Sequence, residues 1–116
     1  MQLLYHTAAG TTRNTGNRLG GVPLSEYDGG PFVILFPSYG APRTGNHVPV
    51  PVKKFLAEHG DRLAAVVGMG NTIFGPEFCA GAAKVAERWG VPLLAKIDIV
   101  PTAEQTKTIK RFLERS

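Results

Sequence analysis

The sequence predicts an α/β domain, a doubly wound parallel sheet of five strands with helices on both faces. Three observations carry that expectation. Short apolar runs recur along the chain, and continuous runs of this length suit strands covered on both faces. Amphipathic helical patterns lie between them, and such alternation argues for a parallel sheet. The chain has 116 residues, 43% hydrophobic and 19% charged, which is the size and balance of one domain able to bury one core. A single domain spanning residues 1–116 is expected.

Gln2–His6 (QLLYH) reads as the first strand. Thr12–Leu19 is polar and contains Gly16, so its helix is expected to be short or frayed. Val22–Tyr27 (VPLSEY) carries a proline and polar residues, which suits an edge strand. Phe32–Phe36 (FVILF) is apolar throughout. Pro51–His59 sets Val52, Phe55 and Leu56 on one helical face, and Leu63–Gly68 is the next strand. Glu77–Trp89 places Phe78, Ala82, Val85, Ala86 and Trp89 together at helical spacing, with Phe78 expected in the core. Gly90 supplies the stop, with Pro92 just beyond. Pro92–Ile99 is the last strand. Thr102–Arg115 groups Ile109, Phe112 and Leu113, and Thr102 is placed to cap it. Right-handed crossovers between such strands give the doubly wound form. A ligand then belongs outside the carboxyl ends of the strands, where the strand order switches.

Composition excludes several classes. The one cysteine, Cys79, permits neither an internal disulfide nor a cysteine-based zinc site, and it reads as a small buried helix residue. His6, His47 and His59 show no ligand spacing, so no metal site is expected. The start, MQLLYHT, lacks the pattern of a secretory signal, and no run is long enough to span a membrane. A cytoplasmic protein is expected. The 14 glycines and 9 prolines are spread along the chain and read as tight turns. The net charge of +4 permits an acidic partner, such as nucleic acid, a phosphate ligand or an acidic protein face. Lys107, Lys110, Arg111 and Arg115 share one side of the last helix. They read as a solvated face suited to a helix C-terminus, with a docking patch as the alternative. No basic stripe with interleaved aromatics is present, so nucleic acid is not an expected partner.

Three loops follow strands and carry unusual residues. The first, Thr7–Thr15 (TAAGTTRNT), is rich in hydroxyls and opens a helix. It offers backbone N–H groups and hydroxyls to a phosphate. It lacks both the Walker pattern and G-x-G-x-x-G. An ordinary hydroxyl turn is its plainer explanation. The second, Pro37–His47, holds Tyr39 at a strand end, either to stack on a flat ligand or to cover the edge of the core. The third, GMGNTIFGPEF from Gly68 to Phe78, has Gly68 and Gly70 for close backbone approach, Asn71 as donor or acceptor, and Phe74 for packing on a ring. Three such loops on one edge point to a planar ring with a phosphate tail, as in flavin mononucleotide (FMN).

These residues resemble a known family. Flavodoxins carry [ST]-x-T-G-x-T after the first strand, and this chain has Thr7-Ala8-Ala9-Gly10-Thr11-Thr12. PFVILFPSYG, VPVPVKKFL, GMGNTIFGPEFCAGA and VPLLAKIDIVPT are similar to successive motifs of the NrdI family, flavodoxin-like proteins that serve class Ib ribonucleotide reductase. The third of these is the most specific, and the likeness covers nearly the whole chain. Ala9 departs from the phosphate-loop pattern and removes one hydroxyl, a loss of about 1 kcal/mol for a neutral hydrogen bond. Thr11 and Met69 are further departures from the usual Asn and Ser.

The resemblance implies a flavodoxin-like sheet in the order 2-1-3-4-5 and an FMN cofactor. Thr7, Ala8, Ala9, Gly10, Thr11 and Thr12 would hold the phosphate. Ser38, Tyr39 and Gly40 would line one side of the ring, and Gly68, Met69, Gly70, Asn71, Phe74 and Gly75 the other. No side chain is expected to act as acid, base or nucleophile. The implied partners are a flavin-reducing protein, dioxygen and NrdF, the reductase small subunit. The reduced flavin would turn dioxygen into an oxidant such as superoxide, used to assemble the dimanganese–tyrosyl radical of NrdF. Electron-transfer flavodoxins are usually acidic, so the charge of +4 argues against a general electron shuttle. The alternatives are such a carrier, or a flavin-free binding module on the same scaffold.

Overall fold

Five parallel strands form one sheet: β1 (Gln2–Tyr5), β2 (Val22–Pro23), β3 (Phe32–Pro37), β4 (Leu63–Gly70) and β5 (Leu93–Asp98). Their spatial order is β2-β1-β3-β4-β5, as the resemblance implied. The structure is a computed structural model and describes residues 1–6, 10–37, 48–70, 80–98 and 100–115. Among the described residues four α-helices lie between or after the strands: α1 (Gly10–Arg18), α2 (Val50–His59), α3 (Ala80–Trp89) and α4 (Ala103–Leu113).

Side chains leave a strand alternately to its two faces, so a strand buried on both sides must be apolar at every position. β3 is such a strand, buried along its whole length between β1 and β4. Leu4, Phe32, Ile34, Phe36 and Val66 pack on one face with Val52 and Leu56 of α2 and Val85 of α3. Leu3, Val33, Leu35, Val67 and Ile97 pack on the other with Leu19, next to α1, and Ile109 of α4. The expected faces of α2, α3 and α4 are therefore the ones that meet the sheet. Phe78 lies outside the described residues.

Four elements differ from the expectation. β2 pairs over only two residues, and the chain then turns through a 3-10 helix at Leu24–Glu26. Pro23 lacks an N–H, so the ladder cannot continue far there. Tyr27 instead packs edge-to-face on Phe32 and Phe55, at 5.2 and 5.3 Å between ring centres. β4 runs on to Gly70, two residues further than its apolar run indicates. Its extension pairs with β3 and β5 together, at Phe36↔Gly68↔Lys96 and Pro37↔Met69↔Ile97. β5 is not covered on both faces, since Lys96 and Asp98 are exposed while Ala95 and Ile97 are buried. It is an edge strand, and charges there discourage pairing with another sheet.

The fourth difference is α1, which is nine residues long and begins at Gly10. Its polar composition hides a buried stripe. Thr12, Thr15 and Gly16, with Leu19 just past the helix, are buried at helical spacing, while Arg13, Asn14, Asn17 and Arg18 are exposed. Small residues let this helix approach Tyr5, whose hydroxyl donates to Asn17 Oδ1 at 3.1 Å. At the end of α3, the Gly90 and Val91 N–H groups donate to the Glu87 and Ala86 carbonyls, which closes the helix where the sequence places its stop.

Thr102 caps α4 as expected. Its Oγ1 accepts from the Gln105 N–H at 3.1 Å, and Gln105 Oε1 accepts from the Thr102 N–H at 3.0 Å. Gln105 Nε2 also donates to the Lys96 carbonyl at 2.9 Å, which ties the helix start to β5. Thr102→Ala is expected to cost about 1 kcal/mol, seen as a melting temperature roughly 4 °C lower. No change in thermal unfolding would show that the cap is dispensable. Among the described residues no helix is long and apolar enough to cross a membrane.

Candidate functional site

The strand order reverses between β1 and β3, because β1 is followed by β2 on one side and β3 by β4 on the other. In an open parallel sheet this leaves a crevice outside the carboxyl ends of those two strands. Tyr5 pairs with Leu35, and the His6 N–H donates to the Leu35 carbonyl at 3.0 Å, so β1 and β3 end together. β3 ends at Pro37 beside Met69, and β4 ends at Gly70 beside Asp98. The three loops singled out in the sequence thus leave three adjacent strands at the same edge.

α1 begins at that edge. The first N–H groups of a helix have no partner within it, and the helix dipole adds partial positive charge there. Gly10, Thr11 and Thr12 are the opening residues, so their backbone N–H groups make a ready anion site. Thr12 adds a second signal. It is fully buried, and its Oγ1 has no hydrogen-bond partner among the described residues. A buried hydroxyl without a partner costs about 1–3 kcal/mol, so native folds seldom leave one orphaned without a use for it.

Beside the start of α1 lies a cavity of about 320 Å³, lined by Tyr5, His6, Arg13, Leu24, Ser25 and Pro51 among others. Arg13 brings a guanidinium next to the helix start, and it can balance a bound anion. Desolvation holds the His6 imidazole below its ordinary pKa of 6.5. The unfolded chain therefore takes up the His6 proton more readily than the folded one. The stability that this shift contributes is complete above pH 6.5 and declines as pH falls through 6.5 toward the lower folded value. Thermal unfolding between pH 7 and 5 is expected to show this decline, and His6→Gln to reduce it. An unchanged pH slope in the variant would reject it.

The structure brings Gly10, Thr11 and Thr12 to the edge and places Gly68, Met69 and Gly70 at its β4 side. These last three are built differently from the loop that the sequence suggests. They are paired strand residues rather than loop, because β3 and β5 both extend alongside them. Met69 is fully buried in the core on the α1 and α4 side, so only its backbone is available to a ligand. Thr7, Ala8, Ala9, Ser38, Tyr39, Gly40, Asn71, Phe74 and Gly75 lie outside the described residues. Sequence reasoning did not pick out Arg13, Ser25 or His6 for the ligand edge. Arg13 stands next to Thr12 in the phosphate-like loop, which was a usable signal. Ser25 and His6 had none, since their nearness depends on β1 and β2 lying side by side.

Comparison with known proteins bears on the family and the fold. Residues 9–111 match the family model described as NrdI flavodoxin-like. A protein called Protein NrdI from Agrobacterium fabrum strain C58 is 36% identical over 87 residues, covering 73% of this chain and 66% of the relative. Protein NrdI of Brucella ovis is 33% identical over 87 residues, with 73% and 64% covered. The chain thus spans 64–66% of the length of these curated relatives. Among solved structures, a short-chain flavodoxin associated with a non-canonical PDU bacterial microcompartment superposes with a TM-score of 0.66. It covers 97% of this chain and 93% of its own, at 18% identity. That likeness speaks to the fold alone.

Proposed function

We propose that this chain, which belongs to the NrdI flavodoxin-like family, is an accessory flavoprotein of class Ib ribonucleotide reductase that serves the small subunit NrdF. FMN is the cofactor of that family. The residues present fit its phosphate. The carrying observation is Thr12, whose buried Oγ1 has no partner among the described residues, at the start of a helix beside the strand-order switch.

The Gly10, Thr11 and Thr12 N–H groups would bind the phosphate, and the Thr12 hydroxyl would donate to it. Arg13 would add charge from the cavity wall. Ser38, Tyr39 and Gly40 are proposed for one side of the ring. The backbone of Gly68, Met69 and Gly70, with Asn71, Phe74 and Gly75, is proposed for the other. Strand pairing on both sides of Gly68 and Met69 supports this reading, because backbone held in that way would give the ring a rigid neighbour. Bound and reduced there, the flavin would supply electrons to dioxygen for the oxidant that NrdF needs. The protein's own part is to hold the ring, set its surroundings and dock NrdF.

The test is reconstitution with FMN, reductive titration, and mixing with manganese-loaded NrdF in air. Tyrosyl radical formed above the level of NrdF alone supports the proposal. A yellow, fully reducible protein that yields no radical above that control would remove the reductase role while leaving flavin binding intact.

A further inference from the structure

A second concave surface lies away from the strand ends, on the outer side of the helix layer formed by α2 and α3. Its volume is about 600 Å³. Val48, Leu56, Val85 and Trp89 supply an apolar floor, and Lys53 and Arg88 stand at its rim. With Lys84 the lining holds three cations, all exposed, one from α2 and two from α3, and no carboxylate is found among the described lining residues. The Arg88 guanidinium lies 5.9 Å from the centre of the half-buried Trp89 ring. That ring is braced from behind by Gly60, where a Cβ would come within 2.7 Å of Trp89 Cζ2. A fixed aromatic loses little freedom on binding, which suits an anchor site.

We propose that the α2–α3 groove receives an acidic segment of a partner protein, which seats a bulky apolar side chain against Trp89 with carboxylates beside Lys53 and Arg88. An apolar floor between two helices with charges along its rim is the form that takes an amphipathic segment. The signs choose the partner, because a basic rim on a chain of net charge +4 attracts an acidic segment and repels a basic one. A second copy fits poorly, since a two-fold contact would set Lys53 and Arg88 near their own equivalents. A nucleic acid gains nothing from the apolar floor. The proposal does not depend on the flavin, which is assigned to the carboxyl edge of the sheet.

The experiment selects random dodecapeptides on the FMN-loaded protein, with counter-selection on the double variant Lys53→Glu/Arg88→Glu. Both positions are exposed, so an unchanged melting temperature of the variant confirms its fold. The expected result is enrichment of peptides with Asp or Glu flanking Leu, Phe or Trp. A synthetic copy without tryptophan should shift the emission of Trp89, the one tryptophan of the chain, and bind the double variant about tenfold more weakly. Failure of acidic peptides to enrich, equal binding to the double variant, or closure of the groove by self-association in sedimentation would each overturn the proposal.

Discussion

Replacing Gly16 by valine is expected to lower the melting temperature by about 10 °C. Gly16 sits on the buried stripe of α1, and the Tyr5 ring lies directly against it. A Cβ at this position would come within 2.8 Å of Tyr5 Cγ, and closer still to Cδ2. Cγ is the root of the ring, so rotation about the ring axis does not clear it. The Tyr5 hydroxyl is also held by Asn17 Oδ1, and the side chain is buried. Either the ring or the helix must move. Overpacking of this kind costs about 1–3 kcal/mol, and valine's branching puts this change at the upper end. For a chain of this size each kcal/mol corresponds to roughly 4 °C. The control is Asn14→Val, the same new side chain at an exposed position of the same helix. It is expected to stay within about 0.5 kcal/mol of the parent. Equal melting temperatures for the two variants would show that the close approach of α1 to β1 carries no weight.

Thr12→Val is expected to act in opposite directions on the empty protein and on its complex with FMN. Valine keeps the β-branch and nearly the shape of threonine but has no hydroxyl. The Thr12 Oγ1 is buried without a partner among the described residues, so its removal is expected to stabilise the flavin-free chain by about 1 kcal/mol. If that hydroxyl donates to the phosphate, the same change removes a hydrogen bond to a charged group, worth about 1.5–3 kcal/mol. FMN affinity then falls by roughly 10- to 100-fold. Riboflavin has the ring and no phosphate, and its affinity should not change. Thr12→Ser retains the donor and should keep most of the FMN affinity. Loss of riboflavin and FMN binding in equal measure would place the hydroxyl elsewhere. Unchanged FMN binding would leave the phosphate to the backbone N–H groups and Arg13.

Phe32–Phe36 shows what a single sequence makes legible. Five apolar residues in succession leave no polar face to turn to water, so a strand covered on both sides was the only economical solution, and β3 is that strand. Val52 and Leu56, Ala82 and Val85, and Ile109 announced their faces in the same way, through an apolar period that the helix must bury. Thr102 could be read as a cap because capping depends on residues three apart in the chain. The phosphate-type loop, the strand-end turns and the resemblance they carry were likewise local patterns. They led to the family and to the sheet edge where Gly10, Thr11, Thr12 and Gly68–Gly70 come to lie.

Neighbours decided the rest. Threonine and glycine have no strong side of their own in a hydropathy pattern, so α1 read as a weak polar helix. Its stripe of Thr12, Thr15 and Gly16 is buried in the fold, and at Gly16 the Tyr5 ring leaves no room for a larger residue. β4 runs on to Gly70 because two flanking strands pair with it there, a contact between segments far apart in sequence. The exposure of Lys96 and Asp98 follows from the edge position of β5, and the cavity beside His6 and Arg13 from the adjacency of β1 and β2. The sequence by itself determined which elements form, which faces are apolar and which family the chain resembles, because those depend on the order of residues over a few turns. Only the tertiary structure decided which polar groups are buried without partners and which surfaces stay open, because burial depends on what another segment places opposite.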